Sequence, residues 1–162
     1  MRLGILSDSH GRADRVTAAL ELLDAHDAEQ FIHLGDLGSV DVIAAMSGRA
    51  VRLVFGNCDW EEKELRNACA FHGLHVDHPI GRLQADGKTV AYTHGHLPEL
   101  MDVALAEGVD WLLHGHTHLV RDERIGRTRV INPGALQRAR RYTVALLDTD
   151  SDALEVFELP TS

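Results

Sequence analysis

The sequence predicts an α/β domain. Three observations carry this: a strand, loop and helix unit that repeats three times between Leu3 and Ala70, a β-rich second half, and polar tips that follow the apolar strand-like runs. At 162 residues the chain can bury a core without disulfide or metal staples, so a single domain over 1–162 is expected.

Leu3-Gly4-Ile5-Leu6 is a short apolar run that predicts a buried strand ending in Ser7-Asp8-Ser9-His10-Gly11. From Asp14 to Ala25 the residues Val16, Ala19, Leu20, Leu22 and Leu23 recur at helical spacing and predict a helix packed back on the sheet. Phe31-Ile32-His33-Leu34 is the next strand, ending in Gly35-Asp36, and Val40 to Met46 reads as a short helix. Val51 to Phe55 is the third strand, ending in Gly56-Asn57-Cys58-Asp59 before a polar helix from Glu61 to about Ala70. Gly11, Gly35 and Gly56 are expected to let the backbone turn tightly at these tips. In open α/β sheets the carboxyl ends of the strands form the ligand crevice, where all three tips fall.

Beyond His72, Leu83-Gln84-Ala85 and Thr89-Val90-Ala91-Tyr92 flank Asp86-Gly87, a strong hairpin signal, and the second strand ends in Thr93-His94-Gly95-His96. Pro98 to Glu107 reads as a helix with proline in its first turn. Val109 to Leu113 leads into His114-Gly115-His116-Thr117-His118, three imidazoles at every second position. On an extended segment His116 and His118 point to one side and aim at one place, a metal being the first hypothesis and a solvated loop the competing one. A second hairpin is expected from Arg124 to Ile131 around Gly126, then a turn at Asn132-Pro133-Gly134. Tyr142–Leu147 and Leu154–Leu159 form a last antiparallel pair.

Asp8, His10, Asp36, Asn57, His94, His116 and His118 are thus seven potential nitrogen and oxygen ligands, each past an apolar run. A set without thiolates points away from a structural zinc site and toward manganese, iron, zinc or cobalt. Seven ligands overfill one catalytic metal with an open position, so two metals bridged by a carboxylate fit better. Two divalent cations against two aspartates leave a locally positive pocket that should draw phosphate anions.

Asp8-Ser9-His10, Gly35-Asp36, Gly56-Asn57-Cys58-Asp59, Thr93-His94-Gly95-His96 and Gly115-His116-Thr117-His118, in this order, resemble the signature of calcineurin-like metallophosphoesterases. Without large insertions, the chain is similar to their small bacterial and archaeal phosphodiesterase branch, which shares its fold with the retromer scaffold subunit. The resemblance implies a two-sheet α/β/β/α sandwich with a dinuclear site at the strand ends. It assigns one metal to Asp8, His10 and His118 and the other to Asn57, His94 and His116, with Asp36 bridging. The cofactors implied are two divalent ions, manganese first, with iron, zinc, cobalt or nickel as alternatives. The reaction implied is in-line attack on phosphorus by a metal-bridging hydroxide, and the candidate catalytic residues are Asp36, Asn57 and His96. Many relatives carry histidine where this chain has Cys58; a neutral thiol is a weak donor, which predicts a preference for good leaving groups.

The expected substrate is a small or nucleotide-like phosphate diester. The alternatives are a phosphomonoesterase or nucleotidase, since the same site binds either ester, and a metal-binding protein scaffold. All seven filled positions favour an enzyme. The net charge of −9 argues against tight binding along nucleic acid, whose affinity comes from basic residues on phosphates. The small basic cluster Arg138, Arg140 and Arg141 reads as a solvated edge. No apolar run is long enough to span a membrane, no secretory cleavage pattern follows Met1, and Cys58 and Cys69 are expected to be reduced, so a cytoplasmic location is expected. A homodimer is the assembly suggested by the relatives, without an interface signature in the sequence.

Among the remaining residues, His96 is a candidate donor beside His94 or a substitute general acid. Asp59 reads as a helix N-cap ahead of Glu61, the rival role being to orient the third block through hydrogen bonds. Arg12 reads as solvated, His33 and His114 as packed residues under the site, and Trp60 and Trp111 as core or rim packing. His26, His72, His75 and His78 show no ligand pattern.

Overall fold

The computed structural model describes residues 1–160. Its first half runs β1 (Arg2–Leu6), α1 (Ala13–Ala25), β2 (Gln30–His33), α2 (Val40–Ala45), β3 (Val51–Leu53), α3 (Glu62–Phe71) and β4 (His75–Val76). The second half runs β5 (Ile80–Ala85), β6 (Lys88–Thr93), α4 (Pro98–Glu107), β7 (Trp111–Leu113), β8 (Val120–Ile125), β9 (Thr128–Pro133), β10 (Tyr142–Asp148) and β11 (Ala153–Leu159).

The strands form two sheets. One has the order β11-β10-β1-β2-β3-β4 and the other β5-β6-β7-β9-β8. Within the first, β1 to β4 are parallel, and β10 closes on β1 antiparallel with Leu3 opposite Leu147. In the second, β6, β7 and β9 are parallel, each outer neighbour being the hairpin partner of the strand it borders. The parallel strands of both sheets therefore present carboxyl ends where ligand crevices form.

Period-two alternation sorts the side chains into layers. Leu3, Ile5, Ile32, Leu34, Val90, Tyr92, Trp111, Leu113 and Ile131 meet between the two sheets. Leu6, Phe31 and Leu53 face the opposite way and pack with Val16, Leu20 and Leu23 of α1, Val42 and Ile43 of α2, and Leu65 of α3. Ala91, Leu112 and Val130 face Ala104 of α4. The result is the α/β/β/α sandwich, and no helix of the described residues is long and apolar enough to cross a membrane.

Several boundaries shift by one or two residues, β3 ending at Leu53 where Phe55 was expected, and four further differences change the pattern. β4 is two residues long, too short to leave a periodic signal. β5 begins at Ile80, and β8 at Val120, well before Arg124; β8 is an outer strand whose side chains are mostly exposed, so its sequence does not alternate. Asn132 and Pro133 lie inside β9, where a turn was expected, because pairing with β8 continues to Pro133 opposite Val120. Pro133 has no amide hydrogen to offer the ladder, and the strand ends at it.

Candidate metal centre

All seven predicted ligands lie just past strand ends on one side of the sandwich. Asp8 and His10 follow β1, Asp36 follows β2, Asn57 follows β3, His94 directly follows β6, and His116 and His118 follow β7. Five of them, Asp8, His10, Asp36, His116 and His118, adopt left-handed backbone with φ between 42° and 69°. That conformation costs an L-residue roughly 1–2 kcal/mol, least for short polar side chains that bond locally. It turns each side chain back over the strand ends.

Close backbone approach fixes two glycines here. A Cβ on Gly56 would lie 2.1 Å from Asp36 Oδ1, and one on Gly115 would lie 2.0 Å from Ser7 Oγ. Gly11 and Gly35 take positive φ as expected, whereas Gly56 is required by this contact and not by a left-handed turn.

The ligand atoms gather in two groups. In the first, Asp8, His10, Asp36 and His118 each bring a donor atom within 4.8 Å of the others. His118 Nε2 stands 3.1 Å from Asp8 Oδ1 and 3.3 Å from His10 Nε2. In the second, Asn57 Oδ1 lies 3.0 Å from His94 Nε2 and 3.1 Å from His116 Nδ1. Asp36 Oδ2 stands between them, 3.6 Å from His10 Nε2 and 3.5 Å from His94 Nε2. His116 and His118 therefore serve different halves of the site. The loop is left-handed at both residues, not extended, and this separates the two rings that an extended segment would have aimed together.

Hydrogen bonds set which atoms face the cluster. His94 donates Nδ1–H to the Leu34 carbonyl at 2.7 Å, and His118 donates Nδ1–H to the Arg138 carbonyl at 3.1 Å, which leaves both Nε2 lone pairs directed inward. Asp8 Oδ2 accepts from Ser7 Oγ at 2.5 Å and from the His116 amide at 3.0 Å. Asp8 Oδ1 is buried and has no hydrogen-bond partner among the described residues. Asp36 Oδ1 accepts from the Cys58 amide at 2.9 Å. Acceptors facing one another at these separations match the edges of a polyhedron around a cation with bonds of about 2.1 Å. The donor set and the orphaned carboxylate oxygen thus fit divalent metals.

Electrostatics agree with a ligand role. Burial alone would raise the Asp36 pKa, but a protonated His94, by hydrogen bond and charge, with the Cys58 amide, holds it well below the ordinary carboxylate range, the part a cation plays when His94 offers its Nε2 lone pair instead. Burial lowers the His10 pKa, Asp36 opposes this, and the Arg138 guanidinium adds to the lowering. Burial and then Asp36 raise the Cys58 thiol, so it stays neutral near pH 7.

Asp59 is not the helix cap. Glu61 occupies the N-cap of α3, and Asp59 accepts from the Gly56 amide at 2.8 Å and the Gly38 amide at 3.0 Å, orienting the third block. His96 stands over the second group, its ring 5.3 Å from that of His94, with a buried Nδ1 lacking a partner among the described residues. His33 is fully buried, its pKa driven down to about 3 by burial, and accepts from the Gly35 amide while its Nε2 bonds Ser9 Oγ. His114 turns away from the ligands, donating Nδ1–H to the Gly115 carbonyl and accepting from Arg121.

Arg12 pairs with Asp14 and stays at the surface. His26 donates to the Leu22 carbonyl, His75 faces Asp77, His78 accepts from the Phe55 amide, and His72 caps α3, all outside the ligand groups. Trp111 is buried and donates to Asp152, but Trp60 is 84% exposed, so packing does not account for it.

One contributor lay outside the sequence reading. Asn132 donates Nδ2–H to the Gly115 carbonyl and to Thr117 Oγ1, each at 3.0 Å, bracing the loop that carries His116 and His118. An asparagine beside Pro-Gly signals a turn, which hid this role.

Comparison with known proteins agrees with the geometry. Residues 1–152 match the model of the calcineurin-like phosphoesterase superfamily domain. The chain is 28% identical over 156 residues to a phosphodiesterase of Methanocaldococcus jannaschii, covering 93% of this chain and 94% of that one. It is also 28% identical over 177 residues to the phosphodiesterase YfcE of Escherichia coli, covering 98% and 92%. The solved structure of an archaeal phosphodiesterase superposes with a TM-score of 0.89 at 27% identity, covering 98% of this chain and all of that one. A zinc complex of Vps29 from Entamoeba histolytica shares the fold, with a TM-score of 0.65 at 18% identity over 98% of this chain and 91% of that one.

Proposed function

The chain belongs to the calcineurin-like phosphoesterase superfamily, and from that premise we propose that it is a dinuclear metal-dependent phosphodiesterase of small or nucleotide-like diesters. The observation that carries this reading is the pair of ligand groups joined at Asp36 Oδ2, with the buried and otherwise unpartnered Asp8 Oδ1 aimed into the first. Asp8, His10 and His118 would hold one ion, Asn57, His94 and His116 the other, and Asp36 both. Bound there, two divalent cations supply an activated water near neutral pH and Lewis-acid stabilisation of charge at phosphorus. Manganese is the proposed native ion.

The chain's own residues supply the positioning. Asp36 fixes the separation of the two halves, held by the Cys58 amide on its other oxygen. Asn57 offers a neutral amide oxygen, which leaves its half of the site more positive than a carboxylate would and suits an anionic ester. His96, above that half, is placed to hydrogen-bond an ester oxygen, but burial lowers its pKa and leaves little imidazolium near pH 7, and Cys58 holds a neutral and weakly donating thiol. With that weak donor, the enzyme favours esters whose leaving groups need little protonation. We place its work in the cytoplasm, as one domain over 1–162, which suits the free thiols of Cys58 and buried Cys69.

The test is turnover of bis(4-nitrophenyl) phosphate and 4-nitrophenyl phosphate by the manganese-loaded protein, alongside Asp36→Ala. Diester hydrolysis should exceed monoester hydrolysis, and Asp36→Ala should lose both metal loading and turnover. Retained activity in Asp36→Ala rejects the site assignment. Turnover of the monoester alone moves the reading to a phosphomonoesterase.

A further inference from the structure

A groove of about 790 Å³ opens beside His118 and is lined by Leu119, Val120, Arg138, Arg140, Arg141 and Glu158, among others. Its size falls within the range of small-molecule sites. It borders the first ligand group at His118, which lines the groove and bonds the Arg138 carbonyl.

Two of the three arginines in this groove, Arg138 and Arg140, differ from the others in the chain. The sixteen basic residues are Lys63, Lys88 and fourteen arginines, set against twenty-five acids. Eleven other arginines sit beside a carboxylate, and Arg15 is engaged by the Leu136 carbonyl and Gln137. Arg138 and Arg140 are the two whose guanidinium groups have neither an ion pair nor a hydrogen bond among the described residues. In a chain of net charge −9, two unspent cations lining one groove with His118 form a local positive field. Arg138 also holds a left-handed backbone, φ 56°, which turns the segment after β9 over the ligand groups. Glu158, the acid in the groove, lies 3.8 Å from Arg141 and so offsets that residue.

We propose that Arg138 and Arg140 form an anion subsite beside His118 that binds a second phosphate carried on one ester arm of the substrate. This rests on the diesterase reading above and names its substrate class: diesters with a further terminal phosphate. The guanidinium fork matches a phosphate with paired charge-assisted hydrogen bonds. Leu119 and Val120, exposed at 69% and 49%, offer the linking organic part an apolar wall. The basic cluster is thereby a binding element and not a solvated edge.

The test compares two diesters with one leaving group, 2-phosphonoethyl 4-nitrophenyl phosphate and ethyl 4-nitrophenyl phosphate, on the manganese-loaded protein. The wild type should favour the phosphonate-armed ester by about tenfold or more in kcat/KM, through KM, as expected for charge-assisted contacts made before the reaction. Arg138→Ala with Arg140→Ala should bring the ratio near one, and the paired lysine variants should restore part of it. Equal manganese content shows that the variant is folded, and the exposed Arg140→Ala alone, expected to lower the ratio, serves if the double variant is not. A wild type without preference, or a variant that keeps it, overturns the subsite while ethyl ester turnover leaves the diesterase reading standing. If the wild type hydrolyses neither ester, the diesterase reading falls. Calorimetric binding of the phosphonate-armed ester then decides the subsite: weakening by about tenfold or more in the double variant supports it, and equal affinity overturns it.

Discussion

Asp8 Oδ1, buried without a hydrogen-bond donor, faces the inward lone pair of His118 Nε2 at 3.1 Å, an arrangement of acceptors that a cation relieves. The seven proposed ligands were legible in the sequence as candidates because each is a polar residue delivered by an apolar run, and the structure brings them to one side of the sandwich. Asp59 was legible only as one of two roles, since an aspartate two residues before the expected helix resembles a cap, and the structure decides for the rival by showing its carboxylate taking the Gly38 and Gly56 amides. Cys58 presents the sharpest chemical question at this scale. Its thiol is held neutral beside Asp36, so replacing it by an imidazole adds a stronger proton donor next to the proposed metal centre. Cys58→His should raise kcat on alkyl diesters by about tenfold or more, within the range of general acid catalysis, while changing aryl diesters much less. Equal effects on both, measured as the ratio of alkyl to aryl kcat, would show that leaving-group protonation is not what Cys58 limits.

The three repeated units of the first half were readable element by element, because their helices carry apolar residues at helical spacing and their strands are buried on both faces. The second half was harder. β8 is an exposed outer strand without alternation, and β9 runs through Asn132-Pro133, whose composition signals a turn. That misreading concealed a working part, because Asn132 at the end of β9 braces the loop after β7 at Gly115 and Thr117. The left-handed His116 and His118 rely on such bracing to stay aimed. Asn132→Ala should weaken manganese binding by roughly 10- to 100-fold, as loss of a bond supporting metal ligands does, with saturating manganese restoring much of the turnover. The check is a manganese titration followed by turnover; unchanged affinity would mean that Gly115 and the Asp8 contact hold the loop unaided.

Across the whole molecule, two sheets place the carboxyl ends of their parallel strands on one side, so residues from β1, β2 and β3 meet residues from β6 and β7. Neither sheet alone holds a complete set: Asp8, His10, Asp36 and Asn57 come from one, His94, His116 and His118 from the other. Ions held by the proposed set would tie the two sheets together, and the loaded fold would be stabilised by whatever affinity the ions have for it. The sequence carried this architecture only through the order of its five blocks, since strand periodicity does not say which sheet a strand joins. The groove beside His118 was beyond its reach, because Arg138 and Arg140 lie in an irregular segment with no motif. The central claim is a dinuclear hydrolytic site, and its most direct measurement is metal content per chain coupled to hydrolysis of bis(4-nitrophenyl) phosphate before chelation, after it, and after manganese is returned. Two ions per chain at full loading, with turnover lost to the chelator and recovered with manganese, is the predicted result. A chain that binds no metal and gains no turnover from manganese would contradict the account and favour a scaffold of the same fold.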